Sequence, residues 1–588
     1  MGHTYILGIS AFYQDAAAAI IKDGEIIAAA EEERFTRKKH DHSFPVRAIE
    51  FCLKAAGVTV GDVEIVAFYE KPFLKFGRII KTHLAYAPGE VRSFISSVPP
   101  WIHKELFVKE RIRKVLGYEG KVIFPEHHHS HAASAFYPSP FDEAAILTID
   151  GAGEWATASI AMGRGNKIEI LKEMRFPHSI GFLYSAFTGY CGFKMNSGEY
   201  KLMGLAPYGE PRYADIIIRE LIDLKKDGSF RINIKYFDFS GGQAIANKKF
   251  HGLFGGPPRE PESRIEKRYM DVARSIQTVT EQIVTMMADH ARDITGMENL
   301  CLSGGVALNS VANGKVLREG RFRNVWIQPA SSDAGAALGA ALIGWHEYLG
   351  IERGLSDGTD RQKATLLGPS FSDDEIEACL IAKGISYERI PFDEVPAVVA
   401  DLLAEEKVIG WFQGRMEFGP RALGSRSILA DPRAGDMRSV MNERIKFRES
   451  FRPFAPSVLR EKAGEYFGME AEDPYMLLVS SVESSKRGDI PAVTHVDHSA
   501  RVQTVKREDN PLYYDLLNEF YEKYGCPLVI NTSFNVRGEP IVCTPEDALR
   551  CFARTNIDYL VMGTFLVSKT GHDVPVTSLE PVYHYLSD

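Results

Sequence analysis

Cysteine is scarce in this chain, with seven in 588 residues, at positions 52, 191, 301, 379, 526, 543 and 551. None forms a Cys-x-x-Cys pair, which argues against both a disulfide framework and a cysteine zinc site. Basic charge is not in excess either: 69 Lys and Arg against 78 Asp and Glu leave a net −9. That excludes the broad positive field of a general nucleic-acid binder, while local basic pockets stay open. No apolar run approaches the roughly 18 residues of a membrane span. Near the N-terminus, Asp15 and Lys22 interrupt the apolar stretch Ala16–Ile21, so no secretory signal is expected and the expected compartment is the cytoplasm. What is present is ordinary core-forming sequence, 45% apolar and 25% charged, which excludes intrinsic disorder as the main state. At roughly 150 residues per domain the length predicts about two to four domains.

The first thirty residues read as three strands, Tyr5–Ser10, Ala16–Ile21 and Glu25–Ala30, with an Asp23-Gly24 hairpin signal between the last two. The pattern returns at Ala145–Asp150, Ala156–Met162 and Ile168–Leu171, which suggests a duplicated α/β domain. Apolar residues at 269, 272, 276, 279, 283 and 287 predict a long helix over 265–294. Strands are predicted at Asn299–Leu302 and Val325–Gln328, and an Ala/Gly-rich helix at Ala334–Ile343 whose small residues permit close packing. The polar stretch Gly350–Lys363 marks a domain boundary, giving domains 1–355 and 356–588. Beyond it, Pro396–Glu405 and Glu546–Arg554 read as helices, and Val408–Phe412, Pro527–Ile530 and Tyr559–Met562 as strands.

Four histidines fall in five positions, His127-His128-His129-Ser130-His131. On a helix His127 and His131 lie one turn apart on one face, a spacing that suits two imidazoles on one metal. The competing reading, a solvated polar helix start, fits four histidines less well. Asp150 and Asp333 are candidates for the remaining ligands, each at a strand end or a following helix start, where open α/β sheets collect ligands. An aspartate at such a position also serves as a helix cap. A His2Asp2 set suits Fe(II), Mn(II) or Zn(II).

The turns Asp150–Gly153 and Ser303-Gly304-Gly305, with Asn309 just beyond, carry little side-chain bulk, so their backbone N–H groups can approach a phosphate closely. Such glycines are also common for purely conformational reasons. The second half carries a basic segment: Arg415, Arg421, Arg426, Arg433, Arg438, Arg444, Lys446, Arg448 and Arg452. On a strand, Lys446 and Arg448 would face one side and present a pocket to phosphates. A solvated basic face is the simpler alternative, but interleaved Phe447, Phe451 and Phe454 favour partly buried arginines.

Together these residues resemble a family, the O-carbamoyltransferases of antibiotic and nodulation-factor biosynthesis. The resemblance is carried by Glu31–Phe35, His127-x3-His131, Gly198–Gly209, Ser303–Gly305, Phe418–Gly424 and Phe451–Phe454, and runs over essentially the whole chain. Lys446-x-Arg448 with Ser533-x-Asn535 resembles the signature of YrdC-like domains, which make carbamoyl-adenylates. The resemblance implies an α/β and α+β architecture. A duplicated domain of the actin/hexokinase/heat-shock ATPase (ASKHA) superfold, like that of the tRNA threonylcarbamoyl-transfer enzymes, would be followed by a YrdC-like domain. It implies that carbamoyl phosphate and ATP, with Mg(II), give carbamoyl-adenylate in the second domain. A hydroxyl of a small natural product would then take the carbamoyl group in the first. Carried over as metal ligands are His127, His131, Asp150 and Asp333, with Fe(II) favoured. Lys446, Arg448, Arg421, Arg452, Arg501, Ser533 and Asn535 would hold the phosphates and carbamoyl group, the first three taking catalytic roles. Ser303, Gly304, Gly305 and Asn309 would serve the nucleotide. Many sequences of this kind carry His-Asp after the first strand, whereas this chain has Gln14-Asp15. If that His acts as the general base, Asp15, His40 or a metal-linked water must replace it here. No nucleic acid or membrane partner is implied, and a homodimer is consistent with the family.

Three rival readings remain open at this stage. A tRNA threonylcarbamoyladenosine-type enzyme would need a basic surface for tRNA, against the net −9. An ASKHA sugar kinase would account for ATP loops but not for the second domain or the histidine pair. A nucleotide- or metal-sensing binding protein would show no ATP turnover with any carbamoyl donor.

Overall fold

A computed structural model describes residues 2–85, 106–240, 243–354 and 358–569. The chain forms two compact units, one from residues up to Glu32 and His40–Gln362, the other from Glu33–Lys39 and the residues from Lys363 onward. The boundary expected between residues 355 and 356 lies outside the described residues. Among the described residues no helix is long and apolar enough to cross a membrane.

The first unit is built twice over on one plan. Strands β1 (Tyr5–Ser10), β2 (Ala17–Lys22) and β3 (Glu25–Glu31) form an antiparallel meander, and β4 (Val63–Phe68) and β5 (Lys121–Ile123) add in parallel beside β1, giving the order 3-2-1-4-5. Helix α1 (Val46–Ala56) links β3 to β4, and α2 (His127–Phe136) follows β5. The plan then repeats. Strands β6 (Glu143–Ile149), β7 (Ala156–Arg164) and β8 (Lys167–Arg175) form a second meander. After the long helix α3 (Lys267–Thr295), strand β9 (Asn299–Ser303) adds in parallel beside β6. Helix α4 (Ser310–Glu319), strand β10 (Asn324–Ile327) and helix α5 (Asp333–Ile343) complete it. The second sheet therefore has the same order and strand directions as the first. The duplication read from the strand pattern is present, and the chain is α/β.

This duplication positions the site. Helices α2 and α5 are equivalent, each following the fifth strand of its half, and the turn after β6 is equivalent to the turn after β1. Every residue of α5 is buried. It packs at backbone distance: a Cβ on Gly339 would lie 1.8 Å from the Ser130 carbonyl of α2, and one on Gly8 of β1 would lie 1.9 Å from the Ala337 carbonyl of α5. The small residues are thus the reason the two helices can start side by side. Helix α3 buries Tyr269, Val272, Ile276, Val279, Ile283 and Met287, and ends where Gly296 takes a left-handed conformation.

The second unit carries an eight-stranded mixed sheet. Its strands are β11 (Glu388–Arg389), β12 (Ile409–Phe412), β13 (Arg426–Ala430), β14 (Ala455–Leu459), β15 (Gln503–Val505), β16 (Leu528–Ser533), β17 (Tyr559–Met562) and β18 (Phe565–Ser568). Their order is 11-18-17-12-13-16-14-15. The longer helices beside the sheet are α6 (Asp373–Ala382), α7 (Val395–Ala404), α8 (Pro511–Tyr524) and α9 (Pro545–Arg554). The segment Glu33–Lys39 belongs to this unit although it lies between β3 and α1 in the chain. Arg34 Nη2 donates to the Gly419 carbonyl at 2.8 Å, and Arg37 donates to the carbonyls of Pro540 and Ile541 at 2.7 and 2.6 Å. One expectation is corrected here. Lys446 and Arg448 are not on a strand but in the turn after the helical segment Met441–Ile445, with Phe447 between them at φ +47°. The backbone N–H groups of Lys446 and Arg448 bond back to Met441 and Asn442, which holds this turn instead of a sheet ladder. Lys446 points inward and Arg448 is half-buried.

Candidate active site

His127 and His131 open α2, Asp333 opens the equivalent helix α5, and Asp150 follows β6. All four are buried. One ligand atom from each lies within 4.8 Å of every other. His127 Nε2 is 3.1 Å from His131 Nε2 and 3.2 Å from Asp150 Oδ2, and Asp333 Oδ1 is 3.7 and 3.6 Å from the two imidazoles. A four-coordinate ion with bonds of about 2.0–2.2 Å needs its ligand atoms about 3.3–3.6 Å apart, so these residues fit a metal. Without one, burial opposes charge on His127, but the hydrogen bond to Asp150 and the charges of Asp333 and Asp150 outweigh it and lift the imidazole to about 9. Burial alone would raise Asp150; its bond to His127 and the neighbouring imidazoles hold it well below the usual carboxylate range. His128 faces the other way, onto Ser159 Oγ at 3.0 Å, and burial keeps it neutral.

The supports of this cluster escape sequence reasoning. Glu154 accepts the backbone N–H groups of His127, at 3.1 Å, and Lys71, at 2.7 Å, fixing the start of α2. Glu70 Oε2 lies 3.8 Å from His127 Nδ1 and its other oxygen pairs with Lys75 at 2.9 Å. Tyr69 reaches Asp333 Oδ2 at 3.5 Å. The one signal available for Glu154 is its place in the short turn Asp150–Glu154; Glu70 and Tyr69 lie at a strand end with nothing to distinguish them.

Of the turn expected to serve a nucleotide, Gly304 sits at φ +84° with no room for a Cβ, which would lie 2.4 Å from the Ile149 carbonyl. The Gly305 N–H donates to Asp150 Oδ1 at 3.0 Å, so this turn supports the carboxylate directly. Ser303 Oγ pairs with Thr148 Oγ1 at 2.9 Å. Asn309 caps α4 and exchanges hydrogen bonds with Gln277 of α3 at 3.1 and 3.0 Å. Asp15 lies in the turn after β1, paired with His40 at 2.7 Å.

In the second unit Lys446 is buried, and its Nζ donates to the Ser533 and Asn535 carbonyls and to Asn535 Oδ1, each at 2.7 Å, with Ser533 Oγ at 3.3 Å. Burial, then the charges of Arg448 and Arg452, push this ammonium well below its ordinary range. Arg448 bonds Asn442 Oδ1 at 2.7 Å and lies over the Phe454 ring at 4.5 Å. Arg452 lies 3.8 Å from Glu449. Arg421 and Arg501, both half-buried, form a second group. Burial lowers Arg421 to about 10, and burial together with the charge of Arg421 lowers Arg501 well below its ordinary range. Facing them is Asp473, a buried carboxylate that pattern reading does not find. Cations stripped of water and set beside one another favour an anion among them.

Residues 5–342 match the family model described as the carbamoyltransferase N-terminus, and residues 400–569 that of the carbamoyltransferase C-terminus. The chain belongs to the carbamoyltransferase family. It is 53% identical to a Synechocystis protein, sll1178, over 96% of this chain and 97% of that one. It is 39% identical to nodulation protein NolNO of Sinorhizobium fredii, over 95% of this chain and 79% of that one. It is 27% identical to the 3'-hydroxymethylcephem-O-carbamoyltransferase of Amycolatopsis lactamdurans, over 94% and 97%. This carbamoyltransferase is thus an enzyme of the O-carbamoyl-transfer type.

Proposed function

We propose that this carbamoyltransferase works in two half-reactions, one in each unit. In the second unit, carbamoyl phosphate, water and ATP give carbamoyl-adenylate, phosphate and pyrophosphate. In the first, a hydroxyl of a small natural product takes the carbamoyl group and AMP leaves. The observation that carries the reading is the convergence of Lys446, Ser533 and Asn535 from segments nearly ninety residues apart, the set that resembles a carbamoyl-adenylate signature. Two phosphorylated substrates bring several negative charges, and Lys446, Arg448, Arg452, Arg421 and Arg501 are the cations to hold them. Arg forks also stabilise charge on transferring phosphoryl and acyl groups.

His127, His131, Asp150 and Asp333 would hold one divalent ion, Fe(II) being consistent with the donor set. When bound, such an ion supplies Lewis-acid polarisation. The chain's own residues do the rest of the arranging: Glu154 fixes α2, Gly305 fixes Asp150, and the turns after β1 and β6 border the transfer site. ATP in the second unit would bring Mg(II).

The test is direct. The protein is incubated with ATP and carbamoyl phosphate, labelled pyrophosphate exchange is followed, and a hydroxyl probe such as 3'-hydroxymethylcephem is added. Exchange that requires carbamoyl phosphate, and a product one carbamoyl group heavier by mass spectrometry, are expected. ATP–pyrophosphate exchange indifferent to carbamoyl phosphate would contradict the reading.

A further inference from the structure

Three polar side chains of the first unit form a hydrogen-bonded series beside the metal candidates. Asp15 Oδ1 lies 2.7 Å from His40 Nδ1, and Ser197 Oγ lies 3.2 Å from His40 Nε2. An ionised carboxylate only accepts, so the proton sits on Nδ1 and the Nε2 lone pair receives the Ser197 hydroxyl. The Nε2 atom is thereby oriented toward Ser197 Oγ, with the carboxylates of Asp15 and Glu33 close to the ring. His40 is 33% exposed, whereas Ser197 is buried, so a substrate can reach the imidazole.

The series is fixed from both ends. Asp15 follows β1 in the turn that also carries Tyr13, whose hydroxyl lies 3.6 Å from where a Cβ on Gly151 would sit, next to Asp150. Tyr69 donates to the Ala11 carbonyl at 3.3 Å while reaching Asp333. The turn holding Asp15 thus borders the metal candidates. On the other side, Glu199 Oε1 accepts the Asn196 N–H at 2.8 Å and the Ser185 hydroxyl at 2.6 Å, which pins the loop before Ser197. Gln14 ties the two loops together by donating to the Asn196 carbonyl at 3.3 Å. Asp15, His40 and Asn196 all hold positive φ, at +42°, +54° and +60°, a left-handed conformation that Asp, His and Asn enter more readily than other non-glycine residues.

We propose that His40 is the general base of the transfer step and that Asp15 positions it. Gln14, the neighbour of Asp15 in this turn, carries an amide, which takes up no proton at neutral pH. The acceptor hydroxyl replaces Ser197 as the donor to Nε2. Its proton passes to Nε2 as its oxygen forms the bond to the carbamoyl carbon. The bond from that carbon to the phosphate oxygen of the adenylate breaks, AMP leaves with the electron pair, and the imidazolium returns its proton to water. This assignment rests on the transfer half of the proposed function.

The experiment uses full-length protein with ATP, carbamoyl phosphate and 3'-hydroxymethylcephem or glycerol as the hydroxyl probe. In His40→Ala, transfer to the probe should fall by about a hundredfold or more, while carbamoyl-phosphate-dependent pyrophosphate exchange stays within about twofold of wild type. Bound metal should be unchanged, and added imidazole should restore part of the transfer rate. His40→Gln, which keeps hydrogen-bonding partners for Asp15 and Ser197, should show the same loss. Asp15→Asn should slow the same step without imidazole rescue, because the added base lacks its orienting partner. Transfer at the wild-type rate in His40→Gln, or a carbamoyl group found covalently on Ser197 in the wild type, would overturn the assignment. If the wild-type protein shows no carbamoyl-phosphate-dependent exchange, the underlying reading fails instead, and this inference with it.

Discussion

Asp473 illustrates how much a single side chain can owe to its surroundings. It is buried and accepts the N–H groups of Tyr475, Leu477 and Leu478 at 3.1, 2.7 and 2.6 Å. Burial lifts its carboxyl to about 7, and those three bonds and the charge of Arg421 only partly oppose the rise. An acid with a native pKa above its unfolded value of about 3.9 holds a proton that the unfolded chain has already lost. Its contribution is fully present below about pH 4 and disappears as pH rises toward 7. Wild-type protein should therefore lose stability relative to Asp473→Asn between pH 4 and 7, by a few kcal/mol at most, roughly 1.4 kcal/mol per pH unit. Denaturant titrations of both proteins across that range measure the difference, and parallel curves would refute it. Residues of this kind were illegible in the sequence because a loop made their role. His127 and His131 were legible because helical spacing alone sets them on one face. Lys446 and Arg448 were legible as a basic pair but misassigned to a strand, since the turn that separates them depends on a positive φ at Phe447.

At the scale of elements, alternation and long apolar spacing made the two meanders, α3, α5, α7, α9 and strands β9, β10, β12, β16 and β17 readable, because these patterns belong to single segments; helices α1, α6 and α8 and strands β4, β5, β11, β13, β14, β15 and β18 were not singled out by them. The two meanders, the long helix α3 and the small-residue helix α5 lie within a few residues of where the pattern puts them. The equivalence of α2 and α5 was not readable, since it depends on how the two halves pair. It leads to a prediction away from any ligand. Gly339→Ala would place a methyl group 1.8 Å from the Ser130 carbonyl and push apart the helices that present His127, His131 and Asp333. Overpacking of this kind costs about 1–3 kcal/mol or more. The variant should fold with a lower melting temperature and bind the proposed divalent ion at least about tenfold more weakly, the equivalent of 1.4 kcal/mol. Metal titration at equal protein concentration checks this, and unchanged affinity would mean that the helix contact does not set the site.

For the whole molecule, the covalent order and the compact units do not coincide. A fragment beginning at Lys363 lacks Glu33–Lys39, so Gly419, Pro540 and Ile541 lose their guanidinium donors and Phe35 no longer covers Met416, Ile541 and Cys543. Charge-assisted hydrogen bonds are worth about 1.5–3 kcal/mol each. The fragment should unfold at lower denaturant than the same fragment with residues 33–39 joined to it, and equal midpoints would count against the segment's role. The proposed division of labour between the units is best tested in the intact chain with His131→Ala. Its Nε2 lies 3.1 Å from His127 Nε2 and 3.6 Å from Asp333 Oδ1, so the variant should contain no metal and form no carbamoylated product. It should exchange pyrophosphate with ATP and carbamoyl phosphate at the wild-type rate, while Lys446→Ala should keep its metal content but be about ten- to a hundredfold slower in that exchange, with product formation falling accordingly. Carbamoylated product from metal-free His131→Ala at the normal rate, or loss of its exchange activity, would contradict a two-site mechanism.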